Sequence, residues 1–239
     1  MRLIKKLLDF IGRKRDLKRS LKLLANIRKL PITAESAVAA AVAYRGYGYY
    51  ETLNLKQNFS EFVPFIAELQ KRPLNHLCEI GTFKGGSLFV FCQIAAPEAK
   101  IISIDLPGGN FGGGTSNHSV KFFKEFTRGK QTMECLRGNS RENEIYAKFC
   151  EALGSQRLDF LFIDGDHTLA GVEADFSIYS KHVRPGGVIA FHDILKRADH
   201  PQIEVWKLWS RLRTEYQYIE FIDHSGADRP VGIGLIFQK

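Results

Sequence analysis

The chain lacks any apolar run approaching the 18 or more residues that a membrane span requires, although 44% of its 239 residues are hydrophobic. Cysteine is scarce: Cys78, Cys92, Cys135 and Cys150 are widely spread and form no CxxC pair. Cys78 and Cys135 fall inside apolar, strand-like runs, which predicts buried free thiols in a reducing, cytoplasmic setting. Internal repeats and low-complexity segments are absent. The length suits one well-buried domain with an appendage and is too short for two ordinary domains.

An excess of positive charge is also missing from most of the chain. The formal net charge is +8, but residues 1–30 hold eleven Lys or Arg against Asp9 and Asp16. The other 209 residues carry 23 basic and 24 acidic side chains. A domain that reads nucleic acid keeps its positive charge on the working face, so this balance argues against a nucleic-acid substrate.

Within residues 1–30, Leu3, Ile4, Leu7, Leu8, Ile11, Leu17, Leu21 and Leu24 recur at roughly helical spacing, opposite a basic face. Lys5, Lys6 and Asp9 interrupt the unbroken apolar core of a secretory signal. Two readings follow. The helix packs on its own domain or on a second copy in a homo-oligomer, or it makes peripheral contact with an anionic membrane surface. The first is favoured.

Residues 34–70 read as two helices, Ala34–Tyr44 and Phe59–Gln70, around the aromatic-glycine stretch Tyr44–Tyr50. The pattern changes at Pro73. Leu77–Ile80, Ile101–Ile104, Thr132–Leu136, Leu158–Ile163 and Val188–Phe191 read as strands. Ser87–Ala96, Ser119–Arg128, Glu142–Leu153 and Leu169–His182 read as the helices between them. This alternation predicts a parallel, doubly wound sheet. A helix (Gln202–Thr214) and two more strands (Tyr218–Ile222 and Gly232–Phe237) complete the chain. The expected organisation is an N-terminal helical extension, 1–72, followed by an α/β domain, 73–239.

In such a sheet ligands bind outside the carboxyl ends of the strands. The first strand ends in Glu79-Ile80-Gly81-Thr82-Phe83-Lys84-Gly85-Gly86-Ser87. Its glycines allow a tight turn and close approach of backbone to ligand, without the spacing of the dinucleotide fingerprint. The second strand ends in Asp105, placed to accept hydrogen bonds from ribose hydroxyls. The third ends in Arg137-Gly138-Asn139-Ser140, able to meet an adenine edge, with Asn139 or Ser140 also suited to capping the next helix.

The fourth strand delivers Asp164-Gly165-Asp166-His167, and the fifth ends in His192-Asp193. If these strands are neighbours, Asp164, His192 and Asp193 converge as ligands for a divalent cation, with His167 beside them as a general base. The competing reading is a helix-capping Asp and a histidine in a satisfied network. Between Leu106 and His118, five glycines in eleven residues suit either a lid or a plain connection. No GKS or GKT follows, which disfavours a phosphate cradle.

EIGTFKGGS, SIDLPGG, the Gly138-Asn139-Ser140 turn, LDFLFIDGDH and VRPGGVIAFHD, in this order, resemble class I methyltransferases that use S-adenosylmethionine (SAM). More narrowly, they resemble the family of the cephalosporin hydroxylases and macrolide-sugar O-methyltransferases, over about residues 74–237. The resemblance implies a Rossmann-like, seven-stranded, mostly parallel sheet whose last strand is antiparallel. It implies that Glu79, Gly81, Thr82 and Ser87 line the SAM pocket, that Asp105 holds the ribose, and that Asn139 and Ser140 flank the adenine. It further implies that Asp164 and Asp193 ligate Mg²⁺ or a similar ion and that His167 is the base. Where relatives often carry a second carboxylate, this chain has His192, which opens the site to Mn²⁺, Fe²⁺ or Zn²⁺.

The activity implied is cation-assisted O-methylation of a small hydroxylated acceptor, such as a sugar or glycosylated metabolite. The rivals are an NAD-dependent oxidoreductase, a non-catalytic SAM-binding accessory protein at a membrane, and a nucleic-acid methyltransferase. The last lacks an NPPY-like motif after the fourth strand.

Overall fold

A computed structural model describes residues 2–27, 32–108, 114–226 and 229–239, with the side chains of residues 2–10 excepted. Seven strands form one sheet: β1 (His76–Ile80), β2 (Lys100–Asp105), β3 (Thr132–Arg137), β4 (Leu158–Ile163), β5 (Val183–His192), β6 (Tyr218–Phe221) and β7 (Ile233–Phe237). Their order is β3-β2-β1-β4-β5-β7-β6, with β7 antiparallel to both of its neighbours. The expected doubly wound sheet, with its last strand reversed, is the observed one. The strand order turns back between β1 and β4, so the carboxyl ends of β1, β2, β4 and β5 share one rim.

Alternation along the strands feeds two cores. On β4, Phe160 and Phe162 point to one face, while Leu161 and Ile163 point to the other. The first face is covered by α1 (Arg2–Ile27), α2 (Ala34–Ala43), α3 (Phe59–Leu69), α4 (Gly86–Ile94) and α5 (Asn117–Lys124). The second is covered by α6 (Asn143–Leu153), α7 (Leu169–Tyr179) and α8 (Val205–Glu215). Phe65, Phe91, Phe160 and Phe162 form a cluster with ring centroids 5.1–6.3 Å apart. Truncating one of these rings to Ala costs about 3–5 kcal/mol.

The segment before 72 shares the first core. Leu24 is fully buried there and Leu17, Leu21 and Ile27 pack against it, while Arg13, Lys14, Arg15, Lys18, Arg19 and Lys22 are exposed. Ser20 anchors the helix: its hydroxyl accepts from Tyr47 N at 2.9 Å and its carbonyl from the Tyr44 hydroxyl at 3.3 Å. Among the described residues no helix is long and apolar enough to cross a membrane.

Several boundaries differ from the sequence reading for local reasons. Ser116 caps α5 by accepting from Ser119 N, so the helix starts two residues early. The predicted helix 169–182 ends at Tyr179 and tightens into a 3-10 turn, Ser180–His182. β5 begins at Val183 rather than Val188, and its pairing with β4 shifts register between Leu158 and Phe160. None of the four cysteines is in a disulfide, but the second fully buried one after Cys78 is Cys92. Cys135 is only half-buried because β3 is an edge strand.

Candidate active site

Three turn hydrogen bonds carry the sheet past its strand ends and align the rim. Gly138 N donates to Asp105 O at 2.9 Å, Gly81 N to Ile104 O at 2.9 Å, and Asp164 N to Ile80 O at 2.8 Å. Gly81 sits at φ +92°, and a Cβ there would fall 2.1 Å from the Asp164 carbonyl oxygen. Glycine at 81 is therefore what lets the β1 turn and the end of β4 touch.

The Glu79 side chain is buried at the bottom of the β1 turn. Its carboxylate accepts from the Ser87 hydroxyl at 2.5 Å and the Thr82 hydroxyl at 2.8 Å, and Thr82 also meets the Ser103 hydroxyl at 2.7 Å. Burial raises its pKa from the usual 4.5 to about 8; the two hydroxyls oppose this, and the charges of Asp164 and Asp105 reinforce it.

Asp105 accepts from Phe83 N at 3.0 Å, Leu106 N at 2.9 Å and the Thr115 hydroxyl at 2.7 Å. Burial raises its pKa too, against those three donors. Thr115, which the sequence reading passed over, also pins the base of the Gly-rich loop, because its N donates to Leu106 O at 2.7 Å. The tip of that loop, 109–113, lies outside the described residues, so the lid expectation does too.

At the end of β3, Asn139 Oδ1 accepts from Arg141 N at 3.1 Å, a local turn. Ser140 Oγ donates to Asp175 at 2.5 Å. Neither caps α6; Glu142 holds that position without a side-chain cap bond. Asp175 is buried, and burial raises its pKa to about 6.

The densest cluster stands at the ends of β4 and β5, which pair as expected. His167 Nε2 lies 3.2 Å from Asp164 Oδ1, and its Nδ1 lies 3.0 Å from Asp193 Oδ2. His192 Nδ1 lies 3.1 Å and 3.5 Å from the same two oxygens. His192 Nε2 is buried with no partner. Asp193 adopts φ +60°, a left-handed conformation uncommon outside glycine, which turns its carboxylate into the cluster.

Asp166, between the two site residues of this turn, accepts from Thr168 N and Oγ1 and pairs with Arg141 at 3.2 Å. Thr168 caps α7 by accepting from Gly171 N. The capping role expected for an aspartate is thus met by Asp166 and Thr168, which leaves Asp164 and His167 for the cluster. Glu204 N donates to His167 O at 2.8 Å and braces it from the segment before α8.

The electrostatics of this cluster run opposite to those at Glu79. Burial pushes the carboxyls of Asp164 and Asp193 up, but the facing histidines outweigh it and hold both below the usual range. Burial pushes the histidines down, and the carboxylates outweigh that. His167 rises to about 10, and His192 rises as well. Asp164, His167 and Asp193 each offer a ligand atom within 4.8 Å of the others, and the His192 nitrogen joins them at hydrogen-bond range. Carboxylate and imidazole donors at this spacing fit a divalent cation.

Two residues in contact with the cluster were not singled out from the sequence. Gln57 Nε2 donates to Asp164 Oδ2 at 2.7 Å, and Arg197 Nη1 donates to Asp193 Oδ1 at 3.3 Å. Arg197 follows Asp193 by four residues, which was a usable hint. Gln57 is 107 residues from its partner in sequence, and its signal was a polar residue continuing the alternation of Leu53 and Leu55.

Residues 78–194 match a family model described as a methyltransferase domain. An uncharacterised protein of Acanthamoeba polyphaga mimivirus is 32% identical over 125 residues, 52% of this chain and 54% of that protein. The match thus spans about half the length of that relative. Among solved structures, the O-methyltransferase TomG from Streptomyces achromogenes, in complex with SAM, is 16% identical with a TM-score of 0.59, covering 88% of this chain and 91% of that one. MycE methyltransferase from the mycinamycin biosynthetic pathway, in complex with Mg, SAH (S-adenosylhomocysteine) and mycinamycin VI, is 14% identical with a TM-score of 0.52, covering 88% and 55%. Family model and fold agree: residues 78–194 match a methyltransferase-domain model, and the chain has the fold of these solved methyltransferase structures.

Proposed function

We propose that the protein is a SAM-dependent, divalent-cation-assisted O-methyltransferase acting on a hydroxyl of a small polyhydroxylated molecule, such as a sugar or glycosylated metabolite. The observation that carries this reading is the convergence of Asp164, His167, His192 and Asp193 on one rim, against the turn that holds Glu79 and Gly81. The solved relative with Mg, SAH and mycinamycin VI in one complex supports the combination of cation, cofactor and small acceptor.

Glu79 is buried and Asp105 half-buried, each without a cationic partner of its own, so they favour a cofactor bearing positive charge. SAM carries a sulfonium and an ammonium. NAD would bring the negative charge of its pyrophosphate to the α4 terminus beside Glu79. Asp105 would hold the ribose hydroxyls in exchange for Thr115. Asn139 and Ser140 would flank the adenine, and Gly81, Thr82 and Ser87 would line the methionine end.

Asp164, His192 and Asp193 would hold the cation. When bound, it supplies charge that lowers the pKa of an attached hydroxyl, as metals lower that of bound water from ~15.7 to about 7. His167 is assigned as the base because its side chain is 29% exposed, whereas that of His192 is 7% exposed on the strand. A base must reach the acceptor; a ligand need not. With the cation in place of the imidazole protons, His167 would accept the hydroxyl proton at a ring nitrogen, and SAM, when bound, would supply the methyl group to that oxygen. Holding the two reactants in place supplies much of the acceleration.

We assign catalysis to residues 73–239 and assign residues 1–72 to covering the first face of the sheet. The test is methyl transfer from labelled SAM to a panel of sugars and vicinal diols, with Mg²⁺ or Mn²⁺ and with chelator. Turnover that needs the ion supports the reading. Turnover unaffected by chelator removes the cation from it, and transfer only to nucleic acid or protein overturns the acceptor class.

A further inference from the structure

Residues 51–58 form an irregular strap, with Asn54 in the left-handed region, between a 3-10 turn (Gly48–Tyr50) and α3, and the strap crosses the rim at the junction of the two halves of the site. Three consecutive residues touch three different parts of it. Leu55 backbone packs so closely on Gly86 that a Cβ there would meet its N at 2.7 Å. Lys56 Nζ lies 5.6 Å from the centre of the Phe83 ring, next to Asp105. Gln57 reaches Asp164.

The strap is anchored at both ends. Tyr50 is buried with its ring 5.1 Å from Phe122, and Leu53 is fully buried. On the far side, Asn58 Nδ2 donates to Arg229 O at 2.8 Å. Ser60 donates to Asp223 at 3.0 Å, and buried Glu61 accepts from Asp223 N and Gly232 N.

Within this strap the inward positions run Leu53, Leu55, Gln57. Packing alone would accept a third apolar side chain, because an amide taken out of water without a partner is costly. Gln57 is nevertheless buried, and its Nε2 satisfies Asp164 Oδ2 at 2.7 Å. That leaves Asp164 Oδ1 as the oxygen turned toward His167 and His192.

We propose that Gln57 is a positioning residue of the cation site: its amide pins one oxygen of Asp164 so that the other faces His167, His192 and Asp193. The inference rests on the cation reading above. It also makes the strap the element through which the N-terminal helices act on the chemistry. Partners that orient a metal ligand in this way typically contribute about 10- to 100-fold in metal affinity.

The test uses Gln57→Leu, which continues the apolar alternation, and Gln57→Ala in the full-length chain. Mn²⁺ affinity is read by electron paramagnetic resonance, SAM affinity by calorimetry, and folding by the thermal midpoint. The expected result is a loss of Mn²⁺ affinity of about ten-fold or more, with SAM affinity and the midpoint unmoved. Unchanged Mn²⁺ affinity in both variants overturns the inference while the cation site stands. A joint loss of SAM affinity, Mn²⁺ affinity and midpoint marks the strap as merely structural and also overturns it. A wild-type chain that binds no Mn²⁺ removes the cation reading, and this inference with it.

Discussion

Two pairs of acids stand on the same rim, one strand apart, and the protein treats them in opposite ways. Glu79 and Asp105, at the ends of β1 and β2, are held above their ordinary pKa, with hydroxyls and backbone N–H groups as partners but no cation. Asp164 and Asp193, at the ends of β4 and β5, are held below theirs by two histidines. Burial opposes ionisation in both pairs, so the difference lies in the neighbours. The first pair is short of positive charge and suits a cationic ligand. The second carries its positive charge as protons on imidazoles, which a metal ion can replace.

The largest effect expected in breaking this contrast is at Asp164. Asp164→Asn should lower methyl transfer by about a thousand-fold or more, since metal assistance and positioning fail together. SAM affinity should change less than about three-fold. A variant that keeps its rate places the cation elsewhere.

Next come the two histidines, whose roles the account separates. His167→Ala should lose about 10²- to 10⁴-fold in rate, the usual worth of a general base, and keep Mn²⁺ binding. His192→Ala should lose Mn²⁺ binding itself. Resonance titrations of both variants decide it, and the opposite outcome exchanges the assignments.

On the other side of the rim, Asp105→Ala should weaken SAM by about 10- to 100-fold, the range for hydrogen bonds to a charged group. Metal binding should be unaffected.

The smallest effect concerns stability. Native Glu79 keeps its proton to about pH 8, whereas the unfolded chain releases it near 4.5. Between those values the native state binds more protons, so this residue makes stability fall as pH rises through the window. Glu79→Gln should therefore match wild type near pH 4.5 and gain on it toward pH 8, by about 4 kcal/mol at most. Chemical denaturation at pH 5 and pH 8 measures this, and a gap that closes with rising pH contradicts the assigned shift.

Much of the rim was legible because strand-end chemistry is local in sequence. Asp164 and His167 share one turn, His192 and Asp193 another, and the alternation of strands and helices made the two turns expected neighbours, as their strands are. The β1 glycines were legible for the same reason, since each answers to a turn a few residues long. Gln57 was not legible, because only the path of the strap brings it to a residue 107 positions away. Asp175 was missed likewise: it looks like an ordinary polar position of α7 until Ser140 is seen against it. Arg197 and Thr115 were intermediate, close in sequence to site acids yet without a periodic signal. For α1 the basic and apolar faces were plain. Which surface the apolar face met was decided by Ser20, Tyr44 and Tyr47, and no pattern in residues 1–30 specifies that contact.

The most direct test of the central claim is calorimetric titration of SAM and NAD into the purified protein, with and without Mg²⁺. The expected result is micromolar SAM binding that Asp105→Ala weakens, with no NAD binding at the same concentrations. Clear NAD binding with no response to SAM would contradict it and leave only the fold.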